Sequence, residues 1–257
     1  MAHTFRPLIF LIGACFAIAD LWAADAPPER VDIQFRVFAL NTINGLCFQP
    51  ALKAVAREIV FFSSERSSAY RYKGGASLAF YEGTGSSSPI PGPTGEITSP
   101  PVALAMLPPG VKQVMLLFFP KRQPAADGLK YDVVVIEDSL EKVPLGMAVT
   151  LNASGQNYEG RVGTVPIQIP PGQGVPFKVV GRVHTQLAAR VNGQAFRAAT
   201  FDLKLNAQQR AWVLLFPPYA IGEFQPQIRV LYESQSSLRS SGQADSFVDL
   251  ASAPTRE

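Results

Sequence analysis

Short apolar segments, separated by turn residues, run along most of the chain. In residues 31–40 (VDIQFRVFAL) apolar and polar side chains alternate, which predicts a strand with one face in a core. Segments of roughly five to seven residues recur at spacings of roughly 8 to 12 residues. Residues 51–62 mix helix-favouring and strand-favouring side chains, and we interpret them as a strand that ends at Phe62, with a helix opened by Pro50 as the alternative. The pattern predicts an all-β chain.

Two stretches, residues 102–139 and 200–234, carry the same pattern. Each contains a long apolar run, a polar break and a second apolar run. Met115-Leu116-Leu117-Phe118 aligns without gaps with Val213-Leu214-Leu215-Phe216, and after the break Ser139 corresponds to Ser234. The chain therefore contains two copies of one β module, repeated with a period of roughly 95 to 98 residues.

Turn residues indicate how the strands connect. Pro108-Pro109-Gly110 precedes the first long apolar run, and Pro170-Pro171-Gly172 repeats this turn in the second module. Asn192-Gly193 is the strongest hairpin signal, because a type I′ turn requires residues that tolerate a positive φ. We expect the strands of each repeated stretch to follow one another as hairpins.

The central runs Val114–Phe119 and Trp212–Phe216 are continuously apolar. Such strands are covered on both faces or line an interface, so we expect equivalent strands of the two modules to pack near each other. Trp212 is then a core anchor. Short strands, frequent turns and little helix predict two tandem domains, each an antiparallel β-sandwich.

The ends of the chain differ in composition from its centre. Arg6, the apolar residues 7–16 and Ala24-Asp25-Ala26 are typical of a signal peptide, which we place at residues 1–26. The apolar run is too short for a membrane anchor, so none is expected after cleavage. Alternatively, Ile12-Gly13-Ala14-Cys15 resembles a lipobox, with Cys15 as the lipidated residue. We expect an exported chain, periplasmic or secreted.

The remaining boundaries follow from the repeat. We place module 1 at residues 27–139, with a Pro/Gly/Ser-rich loop at 83–101, and module 2 at residues 140–234. Residues 235–257 are Ser-rich and polar, and we interpret them as a disordered tail.

Two segments carry a resemblance to known proteins. They are Leu107–Gly110 before Val114–Phe119, and Val149–Gly155 followed by Ile169–Gly172. With them the chain resembles secreted and periplasmic proteins of Gram-negative bacteria that contain tandem immunoglobulin-like β-sandwich modules. The resemblance implies a β-sandwich with no assigned activity, and no functional residue is transferred. The Cys–Trp–Cys core signature of antibody-type domains is missing.

Composition narrows the set of partners. Hydrophobic residues make up 47% and charged residues 17% of the 257, so the chain can bury a core. The net charge of +3 is small, and no basic run contains interleaved aromatic residues, so we expect no nucleic-acid partner.

After signal cleavage Cys47 is the only cysteine. We interpret it as a small buried hydrophobe, with a reactive thiol as the alternative.

Candidate catalytic chemistry is sparse. His184 is the only histidine after cleavage, and alternation in its strand places it toward solvent. It is the only possible base for a Ser-His-Asp triad, and no Gly-x-Ser-x-Gly motif accompanies it. We interpret Glu137-Asp138-Ser139 as a solvated strand end and Asn152-Ala153-Ser154 as a turn rather than a glycosylation site. No catalytic, cofactor-binding or metal-binding residue is therefore assigned, and no cofactor is expected.

Three hypotheses about function remain. The first is a non-catalytic envelope or secreted protein that acts through protein–protein contacts, with another envelope protein as its partner. The second is a glycan- or ligand-binding β-sandwich module, or a pilus-type periplasmic chaperone that uses its edge strands. Aromatic residues that could be exposed motivate the glycan hypothesis: Tyr70, Tyr72, Phe80, Tyr81 and Tyr219. The third is a hydrolase that depends on His184.

Overall fold

The structure of the protein, a computed structural model, describes residues 30–62, 65–83, 97, 99–121, 127–220 and 222–238. The expected signal peptide with Cys15, most of the loop 83–101 and residues 239–257 lie outside the described residues.

Lobe one is our name for residues 30–137. Its described residues form eight strands: β1 (Arg30–Ala39), β2 (Leu46–Phe48), β3 (Arg57–Glu58), β4 (Tyr70–Gly75), β5 (Ser77–Glu82), β6 (Ala103–Met106), β7 (Gln113–Pro120) and β8 (Tyr131–Glu137). The inner sheet has the order β4-β1-β7-β8, and the outer sheet has the order β3-β2-β5-β6. An aromatic core lies between them, in which the rings of Phe35, Phe48, Phe80 and Phe118 contact one another in sequence.

Lobe two is our name for residues 147–234. Its strands are β9 (Met147–Asn152), β10 (Tyr158–Val162), β11 (Val165–Ile169), β12 (Gly172–Gln173), β13 (Phe177–Lys178), β14 (Gly181–Val191), β15 (Gln194–Leu205), β16 (Gln209–Phe216) and β17 (Gln227–Ser234). The inner sheet has the order β12-β9-β16-β17, with β13 also paired to β9, and the outer sheet has the order β11-β10-β14-β15. A second core, including Tyr158, Leu203 and Val213, fills the space between them.

The two lobes share one topology, and the all-β prediction is confirmed. In both, the chain visits inner and outer sheets in the same order, so that β9 corresponds to β1 and β16 to β7. The expectation of purely antiparallel sheets was wrong, because β1 pairs with β7 in parallel and β9 pairs with β16 in parallel. The intervening strands form the long crossover that a parallel pair requires.

The inner sheets of the two lobes pack against each other. Phe38, Met115 and Leu117 of lobe one form a third buried cluster with Trp212, Leu214 and Phe216 of lobe two. On the opposite faces of the same strands, Val114 and Val213 lie in the cores of their own lobes. The continuously apolar strands are therefore covered on both faces, as predicted.

The ungapped alignment of the repeat was wrong by one residue. It placed Met115 over Val213, but Met115 faces the other lobe and Val213 faces its own core. The structural equivalent of Met115 is Trp212, since both pair with the last strand of their lobe and both face the third cluster. A shift of one residue exchanges the two faces of a strand, so similar residue types alone did not fix the register.

The expectation of successive hairpins holds for β7 with β8 and for β16 with β17, which pair as antiparallel neighbours, and fails for the strands before them. The turn at Pro108-Pro109-Gly110 joins β6 in the outer sheet to β7 in the inner sheet, and β15 likewise leads across to β16, so neither pair is a hairpin. Residues 51–62 contain only the two-residue strand β3. The hairpin at Asn192-Gly193 is confirmed: it joins β14 to β15, and both residues have a positive φ.

Replacing Trp212 with alanine should lower the free energy of unfolding by about 3 to 5 kcal/mol, because the indole is fully buried between the lobes. Trp212→Phe should cost less, since the indole N–H has no hydrogen-bond partner among the described residues and phenylalanine removes that unpaired donor. Urea denaturation measures both. Tyr219→Ala is the control, because Tyr219 is 82% exposed. Equal stability of Trp212→Ala and Tyr219→Ala would contradict the packing.

Candidate functional site

Five charged side chains meet in a buried cluster between the two lobes. Three are arginines and two are carboxylates: Arg36, Arg66, Asp138, Arg210 and Glu233. The side chain of Arg210 is fully buried and that of Asp138 is 1% exposed. Ion pairs at such depth are uncommon because each charge loses its hydration. This charge cluster is the most unusual chemical feature of the described residues.

Arg210 lies at the centre of the charge cluster and uses every N–H that its side chain has. Nε donates to the Glu233 carboxylate at 2.6 Å, and one Nη2 hydrogen bond reaches Asp138 Oδ1 at 2.9 Å. The remaining bonds go to the main-chain carbonyls of Asp138, Ser139 and Val143, at 3.1 to 3.3 Å. The segment that links the lobes therefore directs three of its carbonyl groups at one guanidinium group.

Strand register positions the two carboxylates. Glu233 in β17 is the direct partner of Arg210 in β16. Asp138 follows β8, and its N–H donates to the carbonyl of Gln113 at the start of β7. Because Gln113 and Arg210 hold the same place in the two lobes, Asp138 and Glu233 are equivalent residues of the repeat.

Lobe one supplies the other two arginines. Arg36 lies on β1, where its side chain faces the second lobe, and its Nη1 lies 3.6 Å from Asp138 Oδ2 and 3.4 Å from Glu233 Oε1. Arg66 lies in a loop held to β1 by Ser67, whose N–H and hydroxyl bond to the main chain of Val37. Arg66 contacts both carboxylates, with Nη1 at 2.6 Å from Asp138. Each carboxylate therefore bridges the lobes.

Electrostatics in the charge cluster favour the ionised forms. Burial alone would raise the pKa of Glu233, but Arg66 and Arg210 outweigh it and hold the pKa below its usual value. Burial would lower the pKa of Arg66, yet Asp138 and Glu233 raise it. For Arg36 burial prevails and lowers the pKa. Three guanidinium groups face two carboxylates, and the carbonyl groups around Arg210 help to balance the excess positive charge.

Sequence reasoning missed the charge cluster. Asp138 is buried, although its position predicts a solvated strand end. Arg36, one of the polar side chains in the alternating segment 31–40, is largely buried as well. The partners of Asp138 come from segments about 70 residues away on either side, at Arg66 and Arg210, so no local motif marks them. One signal was present: an acidic residue precedes Ser139 and Ser234, the two serines that correspond in the repeat.

The structure places His184 on the outer face of lobe two, as alternation predicted. Its Nδ1 lies 2.8 Å from the Asp202 carboxylate, and Arg182 Nε donates to the same carboxylate at 2.8 Å. These bonds, that from His184 first, lower the pKa of Asp202. Within the described residues no serine, threonine or cysteine hydrogen-bonds to the imidazole. The arrangement is an exposed ion-paired surface cluster.

Cys47 and Asn152 have structural partners. Cys47 is buried, as interpreted, and its thiol donates to the carbonyl of Tyr81 at 3.2 Å. Burial, with a smaller effect of Glu58, raises the pKa of Cys47 to about 11, which disfavours a thiolate. Asn152 is buried, and its amide donates to the carbonyls of Gln156 and Ile169. The Asn-Ala-Ser triplet is therefore part of a turn.

The aromatic residues that motivated glycan binding mostly lie in the core. Tyr70, Tyr72 and Phe80 are buried, which contradicts the expected exposure, and Tyr81 is half-buried. Only Tyr219 is widely exposed. Tyr72 and Tyr81 do line a groove of about 720 Å³ at one end of lobe one, together with charged residues such as Arg30, Lys73 and Lys112.

A second groove lies on the outer face of lobe two. It has a volume of about 690 Å³ and crosses β10, β11, β14 and β15. Arg161, Gln168, Gln186 and Arg197 lie along it, together with one acidic residue, Glu159. We call this groove the arginine trough.

No known protein-family model and no curated protein matches the chain. Among the described residues, no three or more His, Cys, Asp or Glu side chains are grouped so that they could hold a metal ion. The same part of the chain contains no helix long and apolar enough to cross a membrane.

Replacing Glu233 with glutamine should lower the free energy of unfolding by about 3 to 5 kcal/mol, because three buried guanidinium groups then face one carboxylate. Glu141→Gln is the matched control, since Glu141 is an exposed acid in the segment that joins the lobes. Urea denaturation at neutral pH measures both variants. A loss for Glu233→Gln no larger than that for Glu141→Gln would show that the charge cluster does not stabilise the fold.

The same variant should change how stability depends on pH. Because the pKa of Glu233 is lower in the folded chain than its usual 4.5, its contribution is complete above about 4.5 and is lost as the pH falls below it. Unfolding curves from neutral pH to about pH 3 should therefore fall less steeply for Glu233→Gln than for the wild type. Parallel curves would exclude Glu233 as a source of acid sensitivity.

Proposed function

We propose that this chain is a non-catalytic, exported protein of the bacterial envelope or its surroundings that acts by contact with another protein. In this proposal two tandem immunoglobulin-like β-sandwich domains follow a signal peptide at residues 1–26, and the first domain ends near residue 139. The charge cluster supports a body of two lobes held in one arrangement, because Asp138 and Glu233 each pair with Arg66 of lobe one and with Arg210 of lobe two.

The observation that carries the proposal is a difference between the lobes. In lobe one, the edge strands β6 and β8 lie side by side, and the N–H groups of Lys130 and Tyr131 both donate to the carbonyl of Val102. The equivalent edges in lobe two are β15 and β17, and no main-chain hydrogen bond joins them within the described residues. The side of lobe two between β15 and β17 therefore lacks the main-chain hydrogen bonds that close the equivalent side of lobe one. We call it the open side of lobe two.

The open side offers main-chain groups and apolar side chains together. β15 spans Gln194–Leu205 and pairs only with β14, so one of its edges has no described partner. Phe201 on β15, and Ile228 and Val230 on β17, pack against the core of lobe two but are only partly buried. An extended segment of a partner could add to such an edge and cover these side chains.

A photo-reactive residue at Thr200 should cross-link a partner in cells of the organism that encodes the chain, because Thr200 is exposed on the open edge strand. Leu104 is the matched control position, since it is exposed on β6, the equivalent strand on the closed side. Mass spectrometry of the cross-linked species from periplasmic, outer-membrane and medium fractions identifies the partner and the compartment.

A specific product from Thr200 and none from Leu104 supports the proposal. The same products from both positions, or a chain recovered only as a free monomer from every fraction, would contradict it. Recovery of the unprocessed chain from the cytoplasm would contradict export.

A further inference from the structure

The arginine trough lies on the solvent face of the outer sheet of lobe two. Residues that pair directly in a sheet share a face, and the register pairs Arg161 with Gln186 and Ala188 with Arg197. Gln168 on β11 pairs with Glu159 on β10 and extends the same face. The trough therefore runs across four strands of one sheet rather than along an edge.

The floor of the trough is low because small residues meet there. Ala188 is the only side chain between Glu159 and Arg197 on this face. A register shift between Leu187 and Ala188 bends the neighbouring hairpin at the same point. Backbone and short side chains thus form a depression of about 690 Å³.

Hydrogen-bond donors around this depression have no protein partner. The side chains of Arg161, Gln168, Gln186 and Arg197 make no hydrogen bond or ion pair with a described residue. Other arginines on the same face do have partners: Arg182 pairs with Asp202, and Arg190 pairs with Glu159 at 3.0 Å. Apart from Lys204, the basic side chains on this face that lack a partner are therefore those of the trough.

The charge of the surrounding face points to an anionic ligand. Five basic residues lie on it, namely Arg161, Arg182, Arg190, Arg197 and Lys204, against the two acidic residues Glu159 and Asp202. Guanidinium groups bind carboxylate, sulfate or phosphate groups through paired N–H donors. Side-chain amides both donate to and accept from hydroxyl groups. The combination suits a ligand that carries acidic groups and hydroxyls.

From these observations we infer that the arginine trough binds an acidic glycan, a linear polysaccharide with carboxylate or sulfate groups. No aromatic side chain lines the trough, and single-stranded nucleic acids need such rings for base stacking. Extended peptides add to sheet edges, whereas the trough lies on the face of the sheet, across strands that pair with one another. This site does not depend on the proposed protein contact.

Affinity measurements with the mature chain, residues 27–257, test the inference. The probes are polygalacturonate and dextran sulfate, with neutral dextran and polyglutamate as comparison polymers. The double variant Arg161→Gln, Arg197→Gln should bind the acidic glycans roughly tenfold more weakly or worse, because two charge-assisted contacts are lost. The matched control is Arg182→Gln, Lys204→Gln, which removes the same charge from the same face outside the trough.

A second variant keeps the net charge constant. Gln186→Ala should weaken binding of polygalacturonate by roughly threefold or more, since it removes a donor and an acceptor without altering the charge of the face. Circular dichroism shows whether the double arginine variant is folded. If it is not, Gln186→Ala alone tests the trough.

Tight binding of the acidic glycans by the wild type, with loss in the trough variants and little change in the control, supports the inference. Equal losses in the trough and control double variants would reduce the binding to general charge attraction and overturn it. No binding of either acidic glycan by the wild type overturns it as well. Binding of polyglutamate as tightly as polygalacturonate, with the same dependence on Arg161 and Arg197, would replace the glycan with an acidic peptide.

Discussion

The buried guanidinium of Arg210 is the constraint on which the arrangement of the two lobes depends. Its donors reach β17, the segment between the lobes and the carboxylate that follows β8. An arginine buried without partners costs several kcal/mol, so these segments must be in place together. Apolar contacts between the inner sheets bury hydrophobic surface, but the hydrophobic effect is not directional. The polar contacts around Arg210 do have direction, and they select one arrangement of the sheets.

This arrangement determines where a ligand or a partner can bind. Each inner sheet is covered on one face by its own lobe and on the other by the neighbouring lobe. The strands at the centre of these sheets, β7 and β16, therefore have no solvent face to offer. Binding surfaces are left to the outer sheets, the free edges and the ends of the lobes. The open edge β15 and the arginine trough both belong to the outer sheet of lobe two.

The sequence predicted what depends on local pattern and missed what depends on distant contacts. Alternation predicted the strand β1, the turn type at Asn192-Gly193 followed from its residues, and the continuous apolar runs predicted strands covered on both faces. The register of the repeat failed because Met115 and Val213 are similar residues on opposite faces. The burial of Asp138 had no local cause, since its partners Arg66 and Arg210 approach from distant segments. The one local sign of the charge cluster was that Asp138 and Glu233 hold equivalent positions in the two repeats.

Differences between the two lobes explain why both proposed binding surfaces lie in lobe two. The outer sheet of lobe one is built from β2, β3, β5 and β6, none longer than six residues, and its edge is tied to the inner sheet at Val102. The outer sheet of lobe two contains β14 and β15, with 11 and 12 residues. This hairpin is long enough to cover a core and also to present a broad polar face. The repeated topology thus gives both lobes a core, but only the longer hairpin of lobe two leaves a surface wide enough for an extended polymer.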